Sequence, residues 1–210
     1  MLSIIQAAGW PIWPLILCSI LALALIIERL VVLRVSKVMP PHTLDKAMDA
    51  AQRSIPPEAL IQELEKSGSL GPVLASGLRC IQKTPDAAVQ DIQQQMEMAG
   101  RLVARQLERY LTALGTIASA APLLGLLGTV IGMIEIFAAH TAGTSQPAQL
   151  AYGISVALYN TAFGLIVAIP ALMFWRYFRA QIDSMLLSME VCGEQFARHL
   201  AQSRRGKARP

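Results

Sequence analysis

Charge is missing from two long stretches of this chain. Residues 1–27 hold no Asp, Glu, Lys or Arg, and residues 111–175 hold only Glu135. Charged residues make up 15% of the 210, against about a quarter in a soluble domain. All 18 Lys and Arg fall in residues 29–110 and 176–210. This segregation excludes an ordinary soluble domain and marks a membrane protein with water-facing segments between its spans. Cysteine is scarce as well: Cys18, Cys80 and Cys192 have no pair spacing, which excludes a disulfide framework or a thiolate metal cage. The three histidines, His42, His140 and His199, are scattered. No Ser–His–Asp or Cys–His set, HExxH, CxxC or Walker loop is present, so no enzyme, cofactor or metal is expected. No basic face is interleaved with aromatics, which argues against nucleic-acid binding. The net charge of +4 reflects topology, and the basic tail SRRGKAR (203–209) reads as a solvated end.

Long apolar runs are what the chain does have. A span needs about 20 apolar residues to cross roughly 30 Å of hydrocarbon. Residues 12–33, 111–139 and 153–175 each qualify. The segment HTAGTSQPAQLAY (140–152) reads as a short loop. Residues 1–11 carry no Lys or Arg, residues 29–110 carry eleven and the tail seven. By the positive-inside bias the N-terminus and residues 140–152 are expected outside, in the periplasm, with residues 34–110 and 176–210 in the cytoplasm. A cleaved signal peptide fails on the absent basic start and on the Glu28–Arg29 pair after the apolar run.

The fold expected is all-α: three transmembrane helices, the second and third extended into a cytoplasmic helical bundle. Pro40–Pro41 stops any helix continuing from span one. Residues 45–52, 58–66 and 70–82 read as short helices, with a break at Ser67-Gly68-Ser69. Thr84-Pro85-Asp86 reads as a cap, first turn and dipole-matched acid. A helix from Asp86 to residue 139 would be about 80 Å long. Apolar stripes at Ile92, Met96, Val103 and Leu107, and at Ile182, Met185, Met189 and Phe196, predict antiparallel packing of two long helices below the bilayer.

Small residues mark the inner spans. Ala121, Gly125, Gly128, Gly132 and Glu135 share a helical face on span two. Gly153, Ala157, Thr161, Gly164, Ala168 and Ala171 do so on span three. In lipid, helices associate through close backbone approach, which small residues permit. Span one lacks such a face and is expected to face lipid. Two small faces in a thin bundle imply a homo-oligomer. Thr129, Tyr159, Asn160 and Thr161 are polar groups within the inner spans. A membrane threonine commonly bonds a carbonyl of its own helix, yet two of them together fit a polar seam for protons or water. Glu135 has two readings: an intramembrane functional carboxylate, or an interfacial one near the outer end of its span.

APLLGLLGTVIGM (121–133) and NTAFGLIVAIPA (160–171), joined through a short loop, resemble the ExbB/TolQ/MotA proton-channel family, closest to its ExbB and TolQ branch. The resemblance covers nearly the whole chain. It implies a pentamer whose spans two and three line a central pore around the transmembrane helices of an ExbD- or TolR-like partner. Proton flow would drive a TonB- or TolA-like protein that acts on the outer membrane, with the partner's aspartate as main proton carrier. It further implies that Thr129 and Thr161 face the pore and that Pro122 and Pro170 bend the helices. One departure stands out: where many ExbB members read G-I-x-E-A-L, this chain has Val156 in the glutamate's place. Glu135, at similar depth in the antiparallel span, is expected to supply the missing carboxylate.

Overall fold

The computed structural model describes residues 10–52, 57–85, 87–141 and 147–207, and every regular element among them is an α-helix. The helices are α1 (Ile12–Val32), α2 (Val35–Val38), α3 (Thr43–Gln52), α4 (Glu58–Glu65), α5 (Leu70–Lys83), α6 (Val89–Glu108), α7 (Leu111–Thr141) and α8 (Pro147–Lys207). Three helical segments are long and apolar enough to cross a membrane.

Three boundaries differ from the sequence expectation. Thr84 does not open a helix. Its N–H donates to the Cys80 carbonyl at 2.9 Å, closing α5. The next helix starts at Val89, where the Asp91 carboxylate accepts the Ala88 N–H at 3.2 Å. Asp86 lies outside the described residues. The long helix expected from residue 86 to 139 is two helices, α6 and α7, parted by a turn at Arg109–Tyr110. The segment read as a loop over 140–152 is partly helical, since α7 reaches Thr141 and α8 starts at Pro147. Proline fits a first helical position, where its missing N–H has no partner to lose. Residues 142–146 lie outside the described set.

The chain divides into two compact units, Met1–Arg29 with Tyr110–Tyr177, and Leu30–Arg109 with Phe178–Pro210. In the second, α5 buries Leu70, Val73, Leu74, Leu78 and Ile81. Gly77 lets it approach closely, for a Cβ there would stand 2.9 Å from Met96 Sδ and 3.3 Å from Phe196. The stripes on α6 and on the distal part of α8 are buried as their period implies: Ile92, Met96, Val103 and Leu107, and Ile182, Met185, Met189 and Phe196. Gly68 has φ +67°, and Ser69 N–H donates to the Val38 carbonyl at 2.8 Å. That turn is reserved for glycine, since a Cβ would also meet Lys37 O at 2.7 Å. Arg79 bridges Glu65 at 2.6 Å and Glu58 at 3.5 Å, tying α5 to α4. The Glu65 hydrogen bond holds its guanidinium above the ordinary arginine range.

In the first unit, Leu15 of α1 is fully buried and clusters with Ala121, Val167 and Ala168, flanked by Cys18, Ile117, Leu124 and Phe163. Span one therefore does not simply face lipid. One seam packs on the inner pair, while Trp13, Leu17, Ile20, Leu23 and Ile27 are exposed. The expectation missed this because a Leu/Ile seam packs well without small residues.

Candidate functional site

The site is the antiparallel pair formed by α7 and the first part of α8. Its contacts run as a ladder, numbers rising on one helix as they fall on the other. A Cβ added at Gly153 would meet Ile136 at 2.6 Å, one at Gly132 would meet Ala157 Cβ at 3.0 Å, and one at Gly128 would meet Asn160 Cβ at 2.7 Å. A Cβ on Gly125 would stand 2.7 Å from the Asn160 carbonyl oxygen, and one on Gly164 would stand 2.7 Å from the Ala121 carbonyl oxygen. The neighbours at the last two rungs are backbone, which cannot turn aside. Hydrogen in place of a methyl group is what permits the approach. Gly125, Gly128, Gly132, Gly153, Ala157 and Gly164 thus all stand on one interface.

Asn160 lies at the centre of the ladder with 2% exposure. Gly125 and Gly128 make the space its backbone and side chain occupy. The neighbouring Thr161 Oγ1 is buried and has no hydrogen-bond partner among the described residues. The Thr129 hydroxyl donates to the Leu126 carbonyl at 2.7 Å, the local bond a membrane threonine usually makes. Tyr159 is exposed on the outer side of α8.

The packing of span one sorts these residues. Ile117 and Leu124 mark its flank on α7, and Phe163 and Val167 mark it on α8. At 100° per residue Thr129 lies about 140° from Leu124 on α7, beyond the glycine face, and Thr161 lies about 140° from Val156. Thr129 and Thr161 therefore share the flank away from span one, separated in depth by about one helical turn on the ladder's register. Glu135 and Val156 share the opposite flank. Ile136 meets Gly153 and Gly132 meets Ala157, so Glu135 and Val156 differ in depth by about two residues, or about 3 Å.

Glu135 is exposed, unlike the four small residues with which it shares the helical wheel. It stands fourteen residues beyond Ala121, about 21 Å along α7. Helix α1 begins at Ile12, three residues from Leu15 and so about 5 Å. Among the described residues span one does not reach its depth. His140 lies outside the residues whose side chains are described.

Helices α7 and α8 continue through Pro122 and Pro170. Each proline removes one donor, leaving the carbonyl four residues earlier without its helical bond. No group of three His, Cys, Asp or Glu able to hold a metal occurs among the described residues. Two features escaped sequence reading. The Trp175 indole lies over Gly115, where a Cβ would stand 2.8 Å from Nε1. Arg29 is buried in the seam of α1; its spacing from Leu15, Ala22 and Ile26 was the available signal.

Residues 65–191, more than half of the chain, match the MotA/TolQ/ExbB proton channel family. The chain is 36% identical over 176 residues to biopolymer transport protein exbB1 of Vibrio cholerae, covering 79% of this chain and 73% of that one. It is 33% identical over 180 residues to an ExbB-like biopolymer transport protein of Synechocystis, covering 83% of each. Tol-Pal system protein TolQ of Pseudomonas aeruginosa is 35% identical over 103 residues, 49% of this chain and 45% of that one. With its three apolar helices, the chain is a multi-pass membrane protein that belongs to the MotA/TolQ/ExbB proton channel family, on its ExbB-like side.

Proposed function

We propose that this chain is the multi-span subunit of a proton channel that energises biopolymer transport across a bacterial envelope from the inner membrane. The observation that carries this reading is the shared flank of Thr129 and Thr161 beside a glycine-packed helix pair with Asn160 at its centre. In a homo-oligomer, for which we propose five copies, that flank lines the pore and α6 with the distal part of α8 forms the cytoplasmic bundle. A single-span ExbD- or TolR-like partner occupies the pore, supplies the principal proton-carrying carboxylate, and passes the work to a TonB- or TolA-like protein. Thr129, Asn160 and Thr161 offer polar stations along the path. Glu135 stands in for the carboxylate absent at Val156, on the flank and near the depth of that residue. Pro122 and Pro170 bend the lining helices. The N-terminus is periplasmic and the C-terminus cytoplasmic, a topology supported by the placement of the basic residues. Each proton moved down 100 mV releases about 2.3 kcal/mol, so a few protons shift a conformational equilibrium by several kcal/mol.

The test is proton flux in vesicles holding this chain together with an ExbD- or TolR-like single-span protein. Flux that needs both proteins and falls at least tenfold in Thr161→Val is the expected result. Absence of partner-dependent flux would leave a non-conducting membrane scaffold. Undiminished flux and coupled transport in Glu135→Ala would remove Glu135 from the path. The TolQ relative favours a second role within the family, envelope maintenance. Complementation of a strain lacking ExbB against one lacking TolQ separates the two.

A further inference from the structure

The buried seam of α1 runs Ile12, Leu15, Ala22, Ile26 and then Arg29. Four positions are apolar, and the fifth is a guanidinium on a residue with 3% exposure. Its Nε donates to Glu28 Oε2 at 2.7 Å and its Nη2 to Glu28 Oε1 at 3.3 Å. Its Cζ lies 4.8 Å from the centre of the Tyr110 ring. Tyr110 immediately precedes α7. Adjacent residues on a helix point about 100° apart. Glu28, whose side chain is 40% exposed, therefore reaches round from the helix surface to meet Arg29.

A buried ion pair is weak evidence for stability, because an apolar side chain of similar volume often packs as well or better. An apolar residue would also continue the seam. Arginine has what an apolar residue lacks: a rigid planar fork that grips a carboxylate with its edge and stacks on an aromatic ring with its face. Lysine, a point charge on a flexible stem, does not reproduce this. We infer that Arg29 is a positioning residue that locks the end of span one to Tyr110 at the head of span two, so that the two spans move as one body during energy conversion. The lock rests on geometry alone; its part in energy conversion rests on the channel reading above.

The test uses the full chain with its single-span partner and the three native cysteines replaced by alanine. Spin labels at the exposed positions Ile27 and Ala113, in a sample diluted with unlabelled chain, report the distance between the two spans. A narrow distribution is expected for the parent and for Tyr110→Phe, which keeps the ring. Broad ones are expected for Arg29→Met and Tyr110→Leu. Arg29→Met should retain or raise heat resistance while partner-dependent flux falls about tenfold, and Arg29→Lys should not restore it. A parent-like distribution in Arg29→Met overturns the lock, and so does a flux loss that only accompanies loss of folded protein. A parent complex without flux would refute the channel reading instead, with the distance distributions still deciding the lock.

Discussion

Gly125 and Gly100 both sit inside helices, yet their surroundings differ completely. A Cβ at Gly125 would meet the Asn160 carbonyl oxygen and the Thr161 Cα, whereas one at Gly100 would meet no atom within 4 Å. Gly125→Val should therefore force α7 and α8 apart, losing about 1–3 kcal/mol or more. Gly100→Ala should gain about 0.5–1 kcal/mol, since glycine in a helix only adds unfolded-state freedom. Unfolding midpoints of the purified protein should move in opposite directions, and a gain from Gly125→Val would contradict the ladder. The inner glycines were legible in the sequence because their spacing has few other uses in an apolar helix. The burial of Arg29 was only partly legible: its spacing continues the seam of Leu15, Ala22 and Ile26, but a charge ending an apolar run ordinarily sits in the head-group region, and Tyr110, 81 positions later, completes its setting.

At the scale of an element, the start of α6 shows how one signal serves two ends. Thr84-Pro85-Asp86 carries the chemistry of a helix start, but the same residues can close the helix before it, and the bond from Thr84 N–H to the Cys80 carbonyl does so. Asp91 then takes the capping role by accepting the Ala88 N–H. Asp91→Ala should weaken α6 by about 1 kcal/mol, with faster amide exchange over residues 88–92 and little change in α5. Unaltered exchange there would show that Asp91 is dispensable. The interior of each helix was legible because burial follows its period. The turn at Arg109–Tyr110 was not, since neither residue opposes helix and the turn falls where packing partners change.

For the molecule as a whole, three apolar runs of sufficient length made the membrane class legible from composition alone. What those spans hold in common was not, because lateral packing depends on facing partners rather than on one run's content. Reporters fused within residues 142–146 should act only on the periplasmic side, and those fused after residue 207 only on the cytoplasmic side. The reverse pattern would invert the proposed topology. Native mass measurement of the complex should give five copies of this chain, and any other number would require a different pore.

Helix α8 runs through 61 positions without a break, and its buried residues extend from Ala157 to Leu200. Ala157, Asn160, Gly164, Ala168 and Ala171, then Phe178, Ile182, Met185, Met189 and Phe196, follow one another at intervals of three, four or seven residues. Its length is therefore quantised. One residue inserted after Tyr177 would turn everything beyond it by about 100°, whereas seven inserted residues would return the phase to within about 20°. A one-residue insertion should yield far less folded protein in membranes than a seven-residue insertion at the same place. Drift in the length of this helix is thereby confined to steps of about two whole turns.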